Sequence, residues 1–78
     1  MNQNKYQTNN FYLAAFLLCR GQKLIDLNKT NPNKADFIFD DSPDREKLVR
    51  AFLFNQEVLV DIKKFIFFQK ELKNKLYN

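Results

Sequence analysis

A chain of 78 residues has room for one domain and not for two, and its longest apolar run, Phe11 to Cys19, is too short for the roughly 20 residues of a membrane-spanning helix. It has no histidine, one serine, one glycine and one cysteine. An intrachain disulfide, a histidine-bearing zinc site and a glycine-rich phosphate loop are therefore excluded. The formal charge of +4 belongs to the last stretch alone: Ile62 to Asn78 carries five lysines against Glu71, whereas the residues before it balance at eight basic and eight acidic.

Residues 1–9 are polar and asparagine-rich, without the apolar stretch of an export signal, and are expected to be flexible. With the unpaired Cys19, this points to a cytoplasmic protein. The compact domain is expected over residues 10–77. Thr8, Asn9 or Asn10 can cap a helix over Phe11 to Arg20 that Gly21 closes in the left-handed position. That helix is apolar all round, so it must be covered on most sides. Cys19 within it reads as a small hydrophobe rather than a reactive thiol.

Lys23 to Leu27 reads as a strand with Ile25 and Leu27 on one face, and Asn28 to Lys34 as a turn. Ala35 to Asp40 alternates: Ala35, Phe37 and Phe39 face one way, Asp36, Ile38 and Asp40 the other. The two strands predict a hairpin, which needs a cover to be stable. Ser42 then caps a second helix with Pro43 in its first position, a buried stripe of Leu48, Val49, Phe52 and Leu53, and a Glu46–Arg50 pair. Val58 to Val60 is either an extended linker or a brief third strand. Asp61 caps a last helix from Ile62 to about Tyr77, which docks through Ile62, Phe65, Ile66, Phe68, Leu72 and Leu76. The expected fold class is α+β, a single small domain in the order helix, β-hairpin, helix, helix, with the apolar first helix at its centre. Nine phenylalanines supply a core, and self-association is the expected source of further stability in so short a chain.

Acid–base or nucleophilic catalysis needs tuned groups within reach of one another, and this residue set offers none; no catalytic residue, cofactor, metal or small-molecule substrate is expected. Asp40, Asp41 and Asp44 gather at a strand-to-helix junction, where a divalent cation is one reading and helix-end electrostatics the blander one. On the last helix, Phe67 falls opposite the docking side among Lys63, Lys64, Lys70 and Asn74. Such a face is a solvated surface with a stray ring, a nucleic-acid contact in which lysines meet phosphates and Phe67 stacks on a base, or a protein interface with a lysine rim. It lacks arginine, the preferred bidentate phosphate ligand. Membrane insertion is not expected, because the core uses the helix's apolar side.

The order Leu13 to Gly21 (LAAFLLCRG), Phe37 to Asp41 (FIFDD), Leu48 to Phe52 (LVRAF), Val58 to Phe65 (VLVDIKKF) and Glu71 to Tyr77 (ELKNKLY) resembles a family of short microbial and phage domains known only as a domain of unknown function. The resemblance spans residues 8 to 77. It implies a compact α+β module found beside mobile-element genes, and it brings no catalytic residues. Two positions depart from the family's habit: Asn55-Gln56 where a glycine is usual, and Gln22 where an aromatic is. The function expected first is a non-catalytic accessory of a nucleic-acid-handling complex, contacting nucleic acid through Lys63, Lys64, Phe67, Lys70 and Asn74. The alternative is a protein-interaction module, a homodimer or a docking subunit of a larger protein, using Phe11, Phe16 and Phe67.

Overall fold

The computed structural model describes residues 4–29, 34–54 and 59–77. They form β1 (Lys5–Thr8), α1 (Phe11–Cys19), β2 (Leu24–Asn28), β3 (Asp36–Asp40), α2 (Arg45–Leu53) and α3 (Ile62–Tyr77). The small α+β domain is as expected, but the order is β-α-β-β-α-α. A strand precedes the first helix, in a segment expected to be flexible. β1 pairs antiparallel with β3, Tyr6 opposite Phe39 and Thr8 opposite Phe37, making a three-stranded sheet ordered β1-β3-β2. The physical reason is that a two-stranded hairpin would leave one side of β3 with unpaired backbone groups. Tyr6 also anchors the added strand: its ring lies 4.4 Å from the Arg45 guanidinium. Val58 lies outside the described residues, and Leu59 and Val60 form no strand.

Asn10 is the residue that caps α1, its Oδ1 accepting from Leu13 N at 3.1 Å. At the other end Gln22 N donates to Leu17 O and Gly21 N to Leu18 O, a Schellman closure that requires the positive φ of Gly21, +87°. The helix is covered on most sides, as its composition demands. Leu13 to Leu17 are all buried, clustered with Phe37 and Phe39 of the sheet, Val49 of α2 and Leu72 of α3. Among the described residues this core contains no polar or charged side chain.

Ala35, Phe37 and Phe39 alternate into the core as their spacing predicts. β2 departs from expectation. Leu24 faces Phe39 and Asp26 faces Ile38, so Ile25 is an extra residue, a β-bulge. The bulge resets the alternation: Leu24 and Leu27 pack on the core, and Ile25 is exposed. Ser42 does not cap α2. Its hydroxyl donates to Gln22 Oε1 at 2.7 Å, while its carbonyl accepts from Arg45 N across a turn holding Pro43. Asp44 takes the cap position without a side-chain bond. The ion pair at this helix start is Asp41–Arg45 at 2.8 Å, rather than the expected Glu46–Arg50. In α2, Val49 is buried and Leu48 and Phe52 pack against the core, but Leu53 is exposed. No helix of the described residues is long and apolar enough to cross a membrane.

Candidate nucleic-acid interface

Asp61 starts α3 as its position predicts, Oδ1 accepting from Lys63 N at 2.9 Å and Lys64 N at 3.3 Å. That cap fixes where the helix begins, and Leu72, fully buried against α1, fixes its rotation. Phe65, Phe68 and Leu76 flank Leu72 on the core side. At 100° per residue, Lys63, Phe67, Lys70 and Asn74 then share an arc of about 60° on the outer side, with Lys64 about 60° further round. All five side chains are exposed. Phe67 is 54 % exposed, held edge-on by the half-buried Phe68 at 5.2 Å between centroids. An apolar ring is thus kept in water among ammonium groups that no described residue buries.

The three phenylalanines expected at a protein interface do not share a surface. Phe16 is 2 % exposed and packs at 5.4 Å on Phe52, so it belongs to the core and leaves the docking set. An all-apolar helix gave no basis in sequence for choosing which of its rings would face α2. Phe11 is half-buried, edge-on to Tyr12 at 5.3 Å and to Phe37 at 6.3 Å. Ile62 and Ile66, assigned by periodicity to the docking side, are 69 % and 47 % exposed. At 100° per residue they lie about 80° and 120° from Leu72, at the margin of the buried face and beyond it. With Leu59 they leave an apolar strip at the start of α3.

Two open grooves border the core side of α3. One, of about 370 Å³, lies against β2 and carries Asp26 and Glu71 with Lys75. The other, of about 320 Å³, lies between the start of α1, the start of β3 and the end of α3, and its charged residue is Lys73.

The acidic residues at the β3–α2 junction point to structure. Asp41 takes both Arg45 Nε and Nη2, at 2.8 and 3.1 Å, and this bond holds its carboxyl below the ordinary carboxylate value while raising the guanidinium's. Asp40 and Asp44 are exposed. Among the described residues no three acidic or thiol groups converge to hold a cation. Burial, and then the Asp61 carboxylate, push the Cys19 thiol up, against the opposing pull of Lys64; the thiolate needed for reactivity is disfavoured.

Residues 3–78 match the family described as Domain of unknown function (DUF5659). The chain belongs to the DUF5659 family. No curated protein and no solved structure matches it. The motif resemblance thus holds over nearly the whole of this DUF5659 domain. Gln22 has a structural use, since its amide tethers the α1–β2 loop to Ser42; Asn55-Gln56 lies outside the described residues.

Proposed function

We propose that this DUF5659 domain is a non-catalytic nucleic-acid-binding module, a cytoplasmic accessory of a nucleic-acid-handling complex, that contacts phosphates through the lysine face of α3. The observation that carries the reading is the exposed Phe67 ring among Lys63, Lys70 and Asn74, on the helix that holds the whole net charge. The ammonium groups supply sequence-independent attraction to phosphates, and the ring supplies a stacking platform. The field of the molecule supports the same direction of approach. The outer sheet face carries Asp36 and Asp40 against Lys5, so an anion is drawn to α3 rather than to the sheet. Without arginine forks the binding is weak and salt-sensitive.

The test is fluorescence anisotropy with labelled single-stranded and duplex oligonucleotides at low salt. Binding is expected, and Lys63→Glu with Lys70→Glu abolishes it. Undiminished binding by that double variant would remove the site.

A second reading rests on the apolar strip of Leu59, Ile62 and Ile66, which a protein partner or a second copy would cover.

A further inference from the structure

Building on the nucleic-acid reading, we infer that the nucleic acid held is single-stranded and that one of its bases enters the groove between Tyr12 and Tyr77. The groove's volume, about 320 Å³, is at the lower end of the roughly 300–1,000 Å³ of small-ligand sites. Its base is apolar and rigid: Phe37 and Ala35 are buried, and Phe11 is braced edge-on against Phe37. Its rim is aromatic and wet, with Tyr12 58 % and Tyr77 83 % exposed. An apolar body with a polar tip suits a ring that must stack on one side and meet water on the other.

Charge selects this groove over its neighbour. Lys73 Nζ stands 6.0 Å from the Phe11 ring centroid, and no acidic residue lines the groove. Across α3, Asp26 and Glu71 are matched by Lys75 and by Lys29, whose ammonium donates to the Lys75 carbonyl at 2.9 Å, so no net positive charge is left there for a phosphate. The groove also continues the lysine face. Lys63, Lys70 and Lys73 follow one side of α3 with axial separations of about 10.5 and 4.5 Å, leading from Phe67 toward Tyr77. Asn9, at the rim, offers an amide that can donate to and accept from a base edge. A duplex keeps its base faces stacked inside, so only an unpaired base can enter between the two tyrosines.

The chain provides its own reporter. It has no tryptophan and three tyrosines, two on this rim and the third, Tyr6, beneath Arg45. The intact protein is titrated with a twelve-residue oligothymidylate, with the same strand annealed to oligoadenylate, and with inorganic polyphosphate. Oligothymidylate is expected to quench the tyrosine emission and polyphosphate to bind without quenching. The annealed duplex binds at least about tenfold more weakly. Tyr12→Ala and Tyr77→Ala, both at exposed positions where truncation leaves the core intact, each weaken oligothymidylate about tenfold and change polyphosphate affinity less than twofold. Oligothymidylate binding without quenching, or with unchanged affinity in both variants, overturns the groove and leaves the lysine face standing. Absence of binding to both the single strand and the duplex overturns the groove together with the function on which it rests.

Discussion

Asp41, Arg45 and Tyr6 tie the added strand to the second helix. The guanidinium bonds the carboxylate along its edge and the tyrosine ring covers its face. Because the folded Asp41 titrates below its ordinary value of 3.8, its contribution is complete above that pH and disappears as the pH falls through the lower folded value. Both side chains meet water, so the contribution is small, about 0.5–1 kcal/mol. Thermal melts of the wild type and Asp41→Asn should therefore differ by a constant amount from pH 5 to pH 8, with the gap closing below about pH 4. A gap unchanged at pH 2 would rule the ion pair out as its cause. This trio was not legible in the sequence, because Tyr6 and Arg45 meet only once the sheet has formed. The i,i+4 spacing of Glu46 and Arg50 was visible, but so was that of Asp41 and Arg45, and spacing alone cannot show that the second pair is half-buried and the first exposed.

Two of the three helices start where a cap residue predicts, since a cap is chemistry between near neighbours, but Ser42 gives its hydroxyl to Gln22 and does not cap α2. Gly21 and Asp61 could each be read without knowing what the helices pack on, and Asn10 was one of three candidates with Thr8 and Asn9. β1 could not be read in this way. Its four residues, Lys5–Thr8, present only Tyr6 and Thr8 to the core and are otherwise polar, so they resemble a tail until β3 offers a partner. The outward face of α3 was legible from helical period, which depends only on where Leu72 points. The groove was not: Tyr12 and Tyr77 lie 65 positions apart, and only tertiary packing brings them together. Gly21→Ala tests the closure of α1 at the level of the element. A methyl group there would meet nothing within 4 Å, so the cost is purely conformational. We expect a loss of about 1–2 kcal/mol in urea unfolding, and a neutral result would mean that the +87° φ is not required.

At the scale of the molecule, two faces differ in sign, the basic outer side of α3 and the outer surface of the sheet, where Asp36 and Asp40 stand against Lys5. The apolar strip of Leu59, Ile62 and Ile66 adjoins the basic one. If a second copy covers that strip, sedimentation at tens of micromolar gives a species of twice the 9.4 kDa chain mass, and Ile62→Lys restores the monomer. A single 9.4 kDa species throughout removes the homodimer. The two margins of the sheet carry a different consequence. β1 is four residues long and bears a lysine, and β2 is interrupted by the bulge at Ile25. Neither rim offers the long, flat ladder onto which further chains could stack. A concentrated stock of this phenylalanine-rich protein, while folded, should thus resist edge-to-edge stacking, a property set by a short strand at one margin and a surplus residue at the other.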